Sequence, residues 1–183
     1  ARGQDLFYGE AGCSSCHSGW LQTDHSYHAI ALPQIGPGKA APFETHARDT
    51  GRVRVTGEQS DEYKFLTPSL RNVAQTGPYG HNGAYASLES VVRHHLDPIA
   101  SLYSYDPSQV VFHEIEAADD WRVLSDSDEL ARISAANELM PIALGDDDVS
   151  DLLAFLHSLT DDGATKGRLG VPVKVPSGLP VDQ

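Results

Sequence analysis

The stretch that most constrains this chain is Cys13-Ser14-Ser15-Cys16-His17, a C-x-x-C-H pentapeptide. Two thiols three positions apart can each add to one vinyl group of a single porphyrin, and the histidine that follows is held beneath the ring to ligate its iron. A structural zinc site is the plain rival, because C-x-x-C also supplies half of a tetrahedral cage. Its other half would be a second C-x-x-C or an H-x₃₋₅-H pair. His25 and His28 are spaced differently, and His94 and His95 are adjacent. A redox-active disulfide is the third alternative, but it belongs beside a βαβ pattern that this sequence lacks. The full match favours one covalent haem c, with Cys13 and Cys16 as tethers and His17 as the first iron ligand.

Covalent haem attachment takes place outside the cytoplasm, which makes the periplasm the expected compartment. The motif uses both cysteines of the 183-residue chain, so no structural disulfide remains. Ala1-Arg2-Gly3-Gln4 shows no apolar signal-peptide region, as in a processed or excised exported chain. No apolar run approaches the roughly 18 residues of a membrane helix, so no transmembrane segment is expected. The formal net charge of -13 gathers at Asp119-Asp120, Asp146-Asp147-Asp148 and Asp161-Asp162. With no basic patch to offset it, this charge disfavours nucleic acid. It would steer a basic redox partner, and it serves solubility equally well.

Along the chain, residues 2–12 read as a short helix feeding the cysteines. Residues 18–67 are loop-like, a length that is unusual unless the loop wraps something. Trp20, Tyr27, Ile30, Leu32 and Ile35 are candidates to pack on a porphyrin or to close the core. A dense turn over residues 75–83 leads to a helix with Ser87 as N-cap, Glu89 in the first turn and Pro98 as its stop. Its apolar face is Leu88, Val91 and Val92, to which His95 adds, whereas His94 is expected to face solvent or a haem propionate. A helix over residues 126–139 would be capped by Ser125 or Ser127. The clearest helix spans residues 146–159, with Val149, Leu152, Leu153, Leu156 and Leu159 on one face. Pro172, Pro176 and Pro180 mark an extended tail. The expected fold is mainly α, a c-type cytochrome arrangement with long irregular loops and an extended C-terminal tail. Residues 1–163 would form the haem domain, with 100–138 as an insertion, and 164–183 the tail. The sixth iron ligand would come from His81, His94, His95 or Met140.

Phe65-Leu66-Thr67-Pro68-Ser69-Leu70-Arg71-Asn72-Val73, then Thr76-Gly77-Pro78-Tyr79-Gly80-His81-Asn82-Gly83, then Ser87-Leu88-Glu89-Ser90-Val91-Val92 carry a more specific signal. Together they resemble the C-terminal haem half of the bacterial di-haem cytochrome c peroxidases and their MauG relatives. Arg2-Gly3, Leu6-Phe7, Thr23-Asp24, His28 and the run 152–160 are similar too. The resemblance implies haem attachment at Cys13, Cys16 and His17. It places the sixth ligand fourteen residues beyond His81, at His95, where the peroxidases have methionine and MauG-like members tyrosine. His17/His95 coordination is therefore expected, with Met140, before Pro141, as the alternative. The resemblance further implies a Ca²⁺ held by the carbonyls of Thr76 and Pro78. It leaves His81 near the haem but off the iron, and Arg71 would pair with a propionate or form an ordinary surface ion pair. The family's second haem domain, where peroxide binds, has no counterpart here. The chain is thus expected to relay electrons beside a second haem-bearing chain or domain, or else to be a free-standing monohaem carrier. A colourless zinc or interaction module is the remaining alternative.

Overall fold

The computed structural model describes residues 1–37, 39–40, 42–110, 120–165 and 175–178. Its helices are α1 (Arg2–Tyr8), α2 (Val53–Thr56), α3 (Leu88–Leu96), α4 (Pro98–Tyr103), α5 (Ser127–Ala135), α6 (Asp146–Ser158) and α7 (Asp162–Thr165). Two short strands, β1 (Tyr27–His28) and β2 (Phe65–Leu66), pair antiparallel, with Tyr27 opposite Leu66. The mainly helical expectation holds, with irregular loops between the helices.

The frame of the site is the crossing of α1 and α6. Gly3 makes it possible: a Cβ there would lie 1.8 Å from the Asp151 carbonyl oxygen, so only a bare backbone can approach this closely. Arg2 reaches over the same crossing to Asp148 at 2.5 Å and Asp151 at 3.2 Å. One turn further along, Phe7 meets Phe155 with ring centroids 5.0 Å apart. Phe7, Ala11, Val73, Leu88, Val91, Leu152 and Leu156 then form one buried cluster that α3 also enters. Gly3→Ala should force the two helices apart and cost about 1–3 kcal/mol or more, as overpacking does. Denaturant unfolding checks this, and a variant as stable as the parent would show that the crossing yields without strain.

Between the short elements β1, α2 and β2, the described residues of the expected loop 18–67 are braced by side chains. The Gln34 side chain, 1% exposed, donates to the Asp49 carbonyl and accepts from the Asp49 N–H, both at 2.7 Å. Lys39, equally buried, donates to the Gly36 carbonyl and pairs with the Asp120 carboxylate at 2.9 Å. An ion pair so placed ties the loop to the segment that leads into α5, and removing one partner would strand the other charge. A second, smaller core joins the two segments. Leu102, Val123 and Ile133 pack with Ala29, Ala31 and Tyr63 in a second buried cluster.

Several elements depart from expectation. Ser125 and Ser127 do not cap α5; Asp126 does, its carboxylate accepting from the N–H groups of Asp128 and Glu129. The helix ends at Ala135, short of residue 139. Pro98 stops α3 as expected but also opens α4 as its first residue, with Asp97 as the cap. Of the expected tail, residues 166–174 and 179–183 lie outside the described residues, and α7 runs across the expected boundary at 163.

Candidate functional site

The thiols of Cys13 and Cys16 are set by a single 3-10 turn over Cys13–Ser15. Cys16 caps that turn, three residues after Cys13. Gly12, at φ 62, delivers the chain into this turn, and the His17 N–H closes it on the Cys13 carbonyl at 2.9 Å. Both thiols are free. Burial pushes the Cys13 thiol up to about 11, and burial raises Cys16 as well. A redox-active C-x-x-C motif has the opposite property, a thiol pulled down toward the thiolate. The disulfide alternative therefore lacks its chemistry here.

His17 and His95 face each other, with ring centroids 6.5 Å apart and ring planes at 59°. Each ring is fixed at its Nδ1 by a backbone carbonyl: His17 by Gln22 at 3.1 Å and His95 by Val91 at 2.7 Å. A carbonyl only accepts, so each Nδ1 carries the proton and each Nε2 keeps its lone pair. Burial lowers the pKa of both rings, which keeps them neutral as metal ligation requires. Two metal–nitrogen bonds of about 2.0 Å, with roughly an ångström from each nitrogen to its ring centre, span about 6 Å. The spacing of the pair therefore suits a single metal ion between them, and two imidazoles with two nearby thiols are donors that a c-type haem can use.

The other expected site residues are distributed as follows. Met140 is 79% exposed, in the connection between α5 and α6. Arg71 pairs with Asp161 at 3.0 Å with both side chains about half exposed. Thr76 and Pro78 lie on an exposed turn, joined through Gly77 by a cis Gly77–Pro78 bond. No group of three His, Cys or acidic donors meets at that turn among the described residues. His81 donates from Nε2 to the Asp49 carboxylate at 2.9 Å and stacks on Phe65 with ring centroids 3.7 Å apart. Burial works against the Asp49 charge, yet His81 and the Gly51 N–H hold its pKa below the usual carboxylate range. Of the aromatic and aliphatic side chains expected to wrap a porphyrin, Ile35 closes the protein core and Trp20 is fully exposed.

His94 corrects an expectation. It does not face solvent: it is 0% exposed, with Tyr85 Oη 2.7 Å from Nδ1 and the Ile30 carbonyl 2.7 Å from Nε2. Burial lowers its pKa to about 3. The helical pattern underestimated the buried arc of α3, which includes Leu88, Val91, His94 and Leu96 and leaves only Glu89 and Arg93 exposed.

A second cluster was not foreseen. Donor atoms of Cys16, Asp24 and His28 come within 4.8 Å of one another. His28 bridges two carboxylates, Asp24 through Nε2 at 2.8 Å and Glu138 through Nδ1 at 3.3 Å. Burial opposes the Asp24 charge, but His28, the Ser26 N–H and Thr67 draw its pKa down to about 2. Glu138 lies 110 positions beyond His28 in sequence, so no local spacing announces it. The cluster takes in Cys16 but not Cys13, so it is not the four-ligand cage that a zinc reading of the C-x-x-C motif needs.

No family model matches the chain. Among curated proteins, methylamine utilization protein MauG of Methylorubrum extorquens is 42% identical over 98 residues, which are 52% of this chain and 24% of that protein. MauG of Methylophilus methylotrophus is 30% identical over 157 residues, 86% of this chain and 34% of that protein. The cytochrome-c peroxidase IdrP1 of Denitromonas iodatirespirans is 39% identical over 110 residues, 50% of this chain and 29% of that protein. The chain thus spans about a quarter to a third of the length of these curated relatives. Among solved structures, a MauG-like protein associated with microbial copper homeostasis superposes with a TM-score of 0.60 at 30% identity, covering 88% of this chain and 46% of that one. A Y463M variant of the di-haem peroxidase BthA from Burkholderia thailandensis gives 0.56 at 27% identity, covering 87% and 41%. Sequence relatives and fold neighbours agree: the chain belongs to the MauG and di-haem cytochrome c peroxidase family.

Proposed function

We propose that this chain is an electron-transfer unit built on one covalent haem c, the relay haem of a di-haem peroxidase-like or MauG-like oxidoreductase. The observation that carries the reading is the pair of neutral imidazoles, His17 and His95, facing each other beside two tethering thiols. A bound haem supplies a one-electron Fe(III)/Fe(II) couple. The chain's residues do the rest. Cys13 and Cys16 would tether the haem, while His17 and His95 would ligate its iron, each ring oriented by its bond to the Gln22 or Val91 carbonyl. Two imidazole ligands would leave that iron no site for peroxide, so chemistry on peroxide would belong to a second haem-bearing domain or chain. Thr76 and Pro78 could lend two carbonyls to a Ca²⁺ completed by that partner, because calcium takes six to eight oxygens. The acidic surface, at a net charge of -13, suits a basic electron donor. Among the described residues no helix is long and apolar enough to cross a membrane. We place the protein in the periplasm, where such haems are attached.

Mass spectrometry of the intact native complex tests this reading, because it counts chains and haems together. The expected result is one haem on this chain and a second haem on a partner domain or chain. A stable monomer with one haem and reversible one-electron chemistry would instead establish the free-standing carrier. A colourless protein would remove both.

A further inference from the structure

We propose that Tyr85 and His94 are positioning residues for the His95 imidazole. Their hydrogen bonds fix the rotation of α3 and, through it, the angle between the His95 and His17 rings. The inference rests on His95 being an iron ligand, as proposed above.

His94 has both ring nitrogens engaged while fully buried. The Ile30 carbonyl can only accept, so Nε2 carries the proton, and Nδ1 is left to accept from the Tyr85 hydroxyl. The two partners come from different parts of the chain. Ile30 sits between Ala29 and Ala31, both buried in the second core cluster. Tyr85 closes the 79–85 loop through reciprocal backbone bonds with Tyr79 at 2.7 and 3.0 Å. It is itself 4% exposed and is braced edge-on by Tyr105 at 5.6 Å, whose hydroxyl donates to the Ala84 carbonyl. A single ring on α3 is therefore held from both sides by anchored segments.

His95 is the next residue, about 100° further round the helix. Its ring cannot turn independently, because Nδ1 is bonded to Val91 on its own helix. Any rotation of α3 that re-aimed His95 would have to break the Tyr85 and Ile30 bonds at once. The two rings stand nearly perpendicular, at 88° and 6.1 Å, so the grip on His94 does not itself crowd the face of His95. Outer partners of this kind orient ligands they do not replace. The angle between two axial imidazoles governs their π overlap with iron, and hence the g-anisotropy of the low-spin ferric state and its midpoint potential.

The test uses the haem-loaded chain with His94→Leu, His94→Gln and Tyr85→Phe, and reads ferric EPR spectra and midpoint potentials. Leucine keeps bulk without bonds. Glutamine can donate to Ile30 and accept from Tyr85, so it should restore both. The expected result is a shifted low-spin g-anisotropy and potential in His94→Leu, a smaller shift in Tyr85→Phe, and values near the parent in His94→Gln. Parent values in a folded His94→Leu, or a shift in His94→Gln as large as that in His94→Leu, would overturn the inference. If His94→Leu does not fold, Tyr85→Phe decides, and its parent-like spectrum overturns the inference. His95→Ala separates the two readings. If it keeps the parent EPR spectrum, the ligand assignment itself fails; if it loses that spectrum while the other three leave it unmoved, only the positioning role fails.

Discussion

His95→Ala is expected to turn the haem-loaded chain from a low-spin to a high-spin spectrum and to open it to cyanide and peroxide. The size of the effect follows from how completely the site depends on one ring. His95 is the imidazole opposite His17, and its Nδ1 bond to Val91 leaves Nε2 as a lone-pair donor with no other task. An alanine leaves a void of imidazole size next to the iron position. Added imidazole should enter that void and restore the low-spin spectrum. The midpoint potential should move as well, because the axial ligand is a main determinant of it. Ultraviolet–visible and EPR spectra, read with and without imidazole, check all of this. An unchanged low-spin spectrum would eliminate His95 and promote Met140, which is 79% exposed in the connection between α5 and α6. Met140→Ala would then produce the change that His95→Ala had not.

The sequence makes some of this site legible and hides the rest for identifiable reasons. Ser87 and Pro98 delimit α3 in one dimension, and both act as local chemistry requires: the Ser87 side chain accepts from the Ser90 N–H, and Pro98 ends one helix by starting another. Asp126, by contrast, takes the cap of α5 from two neighbouring serines, a contest between similar side chains that turns on backbone angles. His94 is misread because helical periodicity finds a buried stripe only where residues are apolar. A histidine satisfied at both nitrogens by Tyr85 and Ile30 is as buried as a leucine and leaves no hydrophobic mark. The Asp24–His28–Glu138 bridge is invisible for a different reason, since its third member lies 110 positions beyond His28 in sequence. Gly3 stands between these cases. It is visible as a glycine in a helix, but only the crossing with α6 shows why a side chain cannot be there.

Replacing both Cys13 and Cys16 by serine should abolish covalent haem attachment, and this is the second large effect expected. In the parent, denaturing gel electrophoresis followed by haem staining should show a coloured band. In the double variant the band should vanish, and acidified organic solvent should extract the haem. Binding itself need not vanish, because His17 and His95 still face each other across the same gap and can hold a haem without a covalent bond. The double variant is therefore expected to keep a low-spin spectrum when supplied with haem, only more weakly held. The single variants should differ in their effect on folding. Cys13 is the more deeply buried thiol, part of the packing around the main core and bonded to the Ala11 carbonyl at 3.5 Å. A serine there buries a hydroxyl among apolar neighbours, so Cys13→Ser should destabilise the protein more than Cys16→Ser. Cys16 instead lies beside the polar Asp24–His28 pair, where a hydroxyl finds partners. Equal losses of stability would show that the two thiols share one environment. A stained band surviving in the double variant would show that neither thiol carries the haem.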